Sequence, residues 1–421
     1  MFSKILKLFE SVFVKFKNPT FIGEFFYLLL NILYSFILTR GFGIELYGSL
    51  IVLMTISGFF TDVIGVRSNE VIVYFLNKSN DNNVRNSFYT MSVLTDVILG
   101  TIISLVVFLL SGLIVSFFED KITLSSVKLL SVYSFFLYMR GTNMGVMQFF
   151  AKFKILALIK NIELILRFSL MFLFYYFGFK DLKSLTFMMV IPCVIIFFSS
   201  IFIIRYNREI NLKLVSVNFS VKKSIYFCVF SWRNFLSTII KAGNKQIDSL
   251  IVAKFISITY VGVYDLVKKF STPINLVSNV LIINMLPEII KNKKREGKLF
   301  SRIKKINKRL LLFFLIWLVV LMLSNSLIER FLLIEYSMLI FSGLLIVNFL
   351  NQIMWWTRAF STAYNQKLSI YFNGLATLLS CTVLIFLVVN WDIWGLIGGL
   401  FFIRILLYYL WNQKLKQNEI Y

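Results

Sequence analysis

The sequence predicts an all-α integral membrane protein with about twelve transmembrane helices. Of its 421 residues, 58% are apolar and only 15% are charged, whereas soluble domains average about 45–50% apolar and about 25% charged residues. The mean hydropathy is +0.81. The apolar residues also form uncharged blocks, such as residues 97–118 and 184–204, that reach the roughly 20 residues a helix needs to cross a bilayer.

The individual helices follow from these blocks and from the polar segments between them. The spans that separate the uncharged blocks have the same apolar character and carry one to several charges. We predict helices near residues 20–39, 47–75, 87–118, 128–150, 157–179, 184–204, 225–253, 260–288, 308–328, 336–357, 368–390 and 393–411.

The distribution of the 44 Lys and Arg residues predicts the orientation of the chain. Most of them lie in the two tails and in the loops on one side of the membrane. Because cytoplasmic loops are the ones enriched in Lys and Arg, both termini are predicted to be cytoplasmic. A charge that is spread over membrane loops in this way does not indicate a nucleic-acid partner, although the net charge is +24.

The two halves of the chain resemble each other. A shift of 214 positions places Arg40 on Lys254, Ile44 on Ile258 and Gly48 on Gly262, and both stretches join two predicted helices. We therefore predict two six-helix lobes, residues 1–212 and 213–421, with a substrate site between them. Chance similarity between two short helix–turn–helix segments is the alternative explanation.

Cationic side chains at membrane depth are the candidate substrate-binding residues. Each costs about 2.5–3.5 kcal/mol to insert, so it is expected to face a partner or a water-filled cavity. Lys241, Lys245 and Asp248 share one face of the seventh helix, where a single carboxylate cannot neutralise two ammonium groups. The surplus of positive charge predicts an anionic substrate, and snorkelling to lipid headgroups is the alternative. The candidates are Arg140, Arg233, Lys241, Lys245, Lys268 and Arg404.

Acidic residues at similar depth are fewer. Glu163–Arg167 and Arg67–Glu70 have the spacing of helical ion pairs and are interpreted as structural. A carboxylate in a low-dielectric site can titrate or bind sodium, and the candidate ion-coupling residues are Asp62, Asp248 and Asp265. The chain has no histidine, and its three cysteines lie on separate helices. No catalytic residue, metal site or cofactor is predicted, apart from H+ or Na+ as a coupling ion.

Four short motifs resemble those of Wzx-type polysaccharide flippases, in the superfamily that also holds MATE multidrug extruders and lipid II flippases. Residues 38–48 (LTRGFGIELYG) resemble the family's first external turn. Residues 248–252 (DSLIV), 261–264 (VGVY) and 286–288 (LPE) resemble an Asp on the seventh helix, a Gly-x-Tyr that opens the eighth and a Pro at its cytoplasmic end.

This resemblance implies a MATE-like, V-shaped fold and a function. The family moves an undecaprenyl-pyrophosphate-linked oligosaccharide from the inner to the outer leaflet of the bacterial inner membrane, by alternating access and without enzymatic chemistry. The bilayer, the lipid-linked oligosaccharide, a polysaccharide polymerase and chain-length proteins are the implied partners.

Two other functions are weighed against this one. A multidrug extruder of the same fold would be expected to have an acidic cavity for organic cations. A membrane polysaccharide polymerase or ligase would be expected to have a large external loop, and the predicted external loops are about ten residues or shorter.

Overall fold

The structure is a computed structural model, and it describes residues 19–79, 81–119, 121–207, 210, 212–214, 221–270, 297–323, 338–354, 357 and 366–419. All regular secondary structure within these ranges is helical, which confirms the all-α prediction, and each of the twelve predicted helices overlaps a helix of the structure. The helices are α1 (Pro19–Phe42), α2 (Ile44–Ile64), α3 (Ser68–Lys78), α4 (Asn82–Leu109), α5 (Ser111–Phe117), α6 (Leu124–Phe149), α7 (Phe153–Tyr176), α8 (Leu182–Tyr206), α9 (Val221–Ile251), α10 (Ile258–Phe270), α11 (Gly297–Leu323), α12 (Met338–Ile353), α13 (Gln366–Leu379) and α14 (Ile385–Glu419).

Several of these helices are suited to a bilayer. Within the described part of the chain, five segments are long and apolar enough to cross a membrane, and many of their large apolar side chains are exposed. Exposed apolar surface of this extent is expected where lipid, and not water, surrounds a helix. The five segments are Phe25–Phe42, Ile44–Ile64, Asn82–Leu109, Leu182–Tyr206 and Tyr371–Gln413.

The predicted single helix at 47–75 is wrong, because the structure divides it into α2 and α3. Arg67 has a φ of 50°, a left-handed conformation that ends a right-handed helix. A Cβ on Gly65 would lie 2.5 Å from a ring carbon of Tyr138, so the ring occupies space that only glycine leaves free. The backbone N–H of Val66 donates to the Tyr138 hydroxyl at 3.0 Å. Tyr138 thus supplies an acceptor for a backbone donor at the break between the two helices.

The end of the chain contains the turn that the sequence predicts. The range of α14 comprises two helices joined across a kink, where Trp391 and Asp392 have non-helical backbone angles and Asp392 has a φ of 47°. The predicted boundary between helices 368–390 and 393–411 falls on these two residues.

The chain packs into two compact units. The first comprises Met1–Tyr34, Phe60–Ser116 and Ile122–Thr238, and the second Ser35–Phe59, Phe117–Lys121 and Ile239–Tyr421. A hydrophobic core in the first unit includes Ile72, Phe75 and Leu76 of α3 together with residues of α4, α6, α7, α8 and α9. The predicted division into residues 1–212 and 213–421 stays a prediction.

The second unit contains a reciprocal contact between the two segments of the predicted repeat. A Cβ on Gly48 would lie 2.1 Å from the carbonyl oxygen of Ile258, and a Cβ on Gly262 would lie 3.0 Å from the carbonyl oxygen of Ile44. The two glycines and the two isoleucines are the pairs that the 214-position shift superimposes. Two copies of a segment that are related by a twofold axis make contacts of this kind: the glycine of each copy approaches the isoleucine of the other.

Candidate substrate and coupling sites

A buried ionic cluster in the first unit joins α6 and α7. The Glu163 carboxylate lies 3.0 Å from the guanidinium of Arg140 and 2.5 Å from that of Arg167, and all three side chains are only 10–13% exposed. The i,i+4 pair predicted for Glu163 and Arg167 is confirmed. Arg140 shares the same carboxylate, so the described side chains of the cluster carry one more positive than negative charge.

The surroundings of this cluster leave hydrogen-bonding capacity unused. The Nε of Arg167 and the hydroxyl of Tyr34 are buried without a hydrogen-bond partner among the described residues. Arg140 also donates to the sulfur of Cys193 at 3.7 Å, a weak acceptor. Buried donors without partners are costly, so the cluster can accept an anion that brings oxygen acceptors.

Two neighbouring lysines of α10 have different partners in the second unit. Lys269 forms an ion pair with Asp265 at 2.9 Å and donates to the Tyr47 hydroxyl at 2.7 Å. Tyr47 in turn donates a short hydrogen bond to Asp265. Lys268 donates to Ser249 at 3.1 Å. Lys268 and Lys269 therefore have different partners, although they are adjacent in the sequence.

A second ionic cluster surrounds Asp248, which is 5% exposed. Tyr264 donates to one carboxylate oxygen at 3.4 Å, whereas the other oxygen is buried without a partner among the described residues. The charge of Asp248 acts on Tyr264 and Lys268, and the charge of Arg404 acts on the same two residues. The Arg404 Nε is also buried without a described partner. With Asp265 and its partner Lys269 included, the described side chains of the cluster amount to three cations and two carboxylates.

Four other candidate residues contribute less to the geometry. The structure places Arg233, Lys241 and Lys245 on α9, but their side chains lie outside the described residues. Asp62 is half-buried near the end of α2.

The sequence reasoning did not select Asp96 of α4 as a site, although the structure gives it the most complete burial of these carboxylates. It is 1% exposed and accepts hydrogen bonds from the Ser68 hydroxyl and from the backbone N–H of Thr142. Its partners lie 28 and 46 residues away, a separation that no helical spacing reveals.

An exposed ion pair joins Lys254, in the π-helical turn Val252–Ile256, to Glu119 at 3.0 Å. The hydrogen bond and the charge of Lys254 hold the pKa of Glu119 below its usual range. The pair therefore stabilises the folded protein above the usual Glu pKa, and this contribution is lost as the pH falls through the lowered value.

We expect Glu119→Gln to lower the thermal stability of the detergent-solubilised protein slightly at neutral pH and low salt. The difference from the wild type should shrink at acidic pH and at high salt, because protonation and screening each weaken the pair. A difference that is the same under all of these conditions would show that the ion pair does not cause it.

Comparisons with known proteins agree with the fold. A MATE-family multidrug resistance transporter of the MOP superfamily, in an inward-facing conformation, is 14% identical over 93% of this chain and 95% of its own, with a TM-score of 0.74. The lipid II flippase MurJ, in an inward closed conformation, is 17% identical over 94% and 87%, with a TM-score of 0.74. A MOP superfamily transporter from Pyrococcus furiosus, whose binding pocket is described as reversed in polarity, is 14% identical over 95% and 94%, with a TM-score of 0.57.

These likenesses and the apolar helices define a multi-pass membrane protein with the fold of the MOP superfamily transporters. The family described as "Polysaccharide biosynthesis protein" matches residues 36–337, and the chain belongs to that family. No curated protein matches the sequence. The resemblance drawn from the four sequence motifs is thereby confirmed.

Proposed function

We propose that the protein is a flippase that moves a polyprenyl-pyrophosphate-linked oligosaccharide from the cytoplasmic to the outer leaflet of the bacterial inner membrane. One observation carries the proposal: in a member of a polysaccharide-biosynthesis family, the described side chains of both buried ionic clusters include one more cation than carboxylate. A pyrophosphate is an anion that can complete such clusters through charge-assisted hydrogen bonds.

Arg140 is the first candidate for phosphate binding, because Glu163 can remain paired with Arg167 when Arg140 turns to a substrate oxygen. Lys268 and Arg404 are the candidates in the second unit. Arg233, Lys241 and Lys245 of α9 are further candidates, and positions 241 and 245 are one helical turn apart. The polyprenyl tail remains in the lipid, and because no covalent bond changes, no catalytic residue is required.

Transport across the bilayer requires two states that bind the substrate differently. A coupling ion, H+ or Na+, would bias these states through Asp62, Asp248 or Asp265. One oxygen of Asp248 has no hydrogen-bond partner among the described residues, and this favours Asp248 for the coupling role, because an added proton or cation would satisfy that oxygen. A polysaccharide polymerase and chain-length proteins would use the product, and both termini would face the cytoplasm.

Complementation of a flippase-deficient bacterial strain tests the function. The wild-type chain should restore the surface polymer and remove the accumulated lipid-linked oligosaccharide. Arg140→Gln and the double variant Lys241→Gln/Lys245→Gln should each lose most of this activity, because a hydrogen bond to a charged group contributes about 1.5–3 kcal/mol, or roughly 10- to 100-fold.

The matched control is Lys254→Gln. Lys254 is also an intramolecularly paired cation, but its side chain is 26% exposed and its partner Glu119 61% exposed, so we expect near wild-type export. Membrane levels of all variants are measured by immunoblot. Full export by the double lysine variant, at a normal level of protein in the membrane, would contradict the cationic site. If the wild type failed to complement the strain and instead exported organic cations, multidrug extrusion would be the function.

A further inference from the structure

Among the described residues, only neutral donors hold the carboxylate of Asp96. One of its oxygens accepts a hydrogen bond from the Ser68 hydroxyl, and the other accepts from the backbone N–H of Thr142 at 3.0 Å. A Cβ on Gly141 would lie 3.8 Å from the second oxygen, so α6 closes over the group. No ion pair reaches Asp96 from any residue that the structure describes.

The helices packed against Asp96 present no compensating charge. From α3 the facing group is Ser68, from α6 the facing groups are Tyr138 and Thr142, and Tyr89 lies near it on α4 itself. The charged neighbours along the chain have other partners: Arg67 pairs with Glu70, and Arg140 with Glu163. Glu163 and Asp96 are similarly buried, but only Glu163 has arginines beside it.

This environment favours a neutral carboxyl group. An ionised carboxylate that is buried without a cation costs several kcal/mol, and such a group takes up a proton instead. Sodium would need several oxygen ligands turned towards it, whereas both carboxylate oxygens of Asp96 already accept hydrogen bonds, from the Ser68 hydroxyl and from the Thr142 backbone N–H.

A chain of hydrogen bonds leads from Asp96 to the break between α2 and α3. When Asp96 is ionised, every donor in this series of hydrogen bonds can point towards it. The Val66 N–H donates to the Tyr138 hydroxyl at 3.0 Å, and Tyr138 can donate to Ser68 at 3.4 Å. Ser68 in turn donates to the carboxylate. A protonated Asp96 can donate to Ser68 instead. Ser68 then donates to Tyr138, whose own proton needs another acceptor, and the direction of two hydrogen bonds is reversed.

We propose that Asp96 is a proton-binding site and that Ser68 and Tyr138 transmit its protonation state to the α2–α3 break at Gly65–Arg67. Loading adds one proton to the carboxylate and unloading returns it, so no electron or further reactant is needed. The use of this proton to drive transport rests on the proposed flippase function, whereas the proton site itself does not.

Infrared difference spectroscopy on the purified full-length protein in lipid nanodiscs tests the site. We expect a carboxylic-acid C=O band in the wild type at neutral pH that disappears as the pH is raised. The band should be absent in Asp96→Asn, shifted in Ser68→Ala by loss of a hydrogen bond, and retained in the control Glu70→Gln, whose carboxylate belongs to the exposed pair with Arg67.

Identical spectra for wild type and Asp96→Asn over the pH range would overturn the proton site, and a band that Ser68→Ala leaves in place would overturn the transmission. The wild-type titration needs no variant, so a folding failure of Asp96→Asn leaves the test intact.

A transport measurement separates the two proposals. In proteoliposomes, flipping of lipid-linked oligosaccharide by Asp96→Asn should lose its dependence on a pH gradient, while the control Glu119→Gln, which changes an exposed carboxylate away from the α2–α3 break, should keep it. A gradient dependence that survives in Asp96→Asn would overturn the coupling role. Absence of flipping by a wild type that shows the band would reject the flippase function and leave the proton site standing.

Discussion

Replacing Gly48 with alanine should destabilise the protein more than the same replacement at Gly262. The added Cβ at position 48 would lie 2.1 Å from the carbonyl oxygen of Ile258 and 2.9 Å from its carbonyl carbon, so a backbone must move. At position 262 the nearest atom, 2.7 Å away, is the end of the Ile44 side chain, which can rotate, although the Ile44 carbonyl oxygen remains at 3.0 Å. Overpacking of this kind costs about 1–3 kcal/mol, and more where backbone must shift.

Gly398→Ala is the matched control, because Gly398 lies in α14 and a Cβ there would meet no atom within 4 Å. It should be neutral or stabilise the helix by up to about 1 kcal/mol. Thermal unfolding of the three alanine variants in detergent measures the order, which we expect to be Gly48→Ala lowest and Gly398→Ala highest. Equal midpoints for positions 48 and 398 would contradict the close approach.

Glu163→Gln should cost more stability than Arg140→Gln, although both remove one charge from the same cluster. Without the carboxylate, two arginines that are each 13% exposed lose their only described carboxylate partner. Breaking a buried ion pair from one side costs about 3–5 kcal/mol. Arg140→Gln leaves a neutral pair of Arg167 and Glu163, so we expect a smaller loss of stability together with the loss of export proposed above.

The control for this comparison is Glu70→Gln, which breaks an exposed pair worth about 0–1 kcal/mol. Thermal unfolding and the yield of folded protein in the membrane measure all three variants. If Arg140→Gln proved as unstable as Glu163→Gln, Arg140 would be a structural member of the cluster, and its assignment to the substrate would fail.

The helices of this protein could be predicted from sequence because bilayer length and apolarity are local properties. Where the prediction failed, at Gly65–Arg67, the cause is not local: the Tyr138 ring fills the space beside Gly65. Arg67 and Glu70 have the spacing of a helical ion pair and do form an ion pair. Arg67 nevertheless precedes the first residue of α3, so this spacing gave no sign that the helix is interrupted there.

The charges of the sites could be counted from sequence, but their partners could not be assigned. Arg140 has no acid at helical spacing on its own helix, and its partner Glu163 comes from the next helix. Asp96 was passed over because its partners are a serine and a backbone amide, neither of which carries a charge for a sequence pattern to detect. The excess of cations was visible in the composition, whereas the sharing of one carboxylate by two arginines depends on tertiary packing.

The paired approach of Gly48 to Ile258 and of Gly262 to Ile44 has a consequence for the origin of the chain. If a gene duplication produced the two segments, the ancestral half could have assembled as a symmetric homodimer, in which one glycine and one isoleucine supplied both contacts. After fusion of the two copies, the backbone of each copy limited the space beside the glycine of the other. Neither copy could then evolve a side chain at its glycine unless the opposite copy changed its backbone in step.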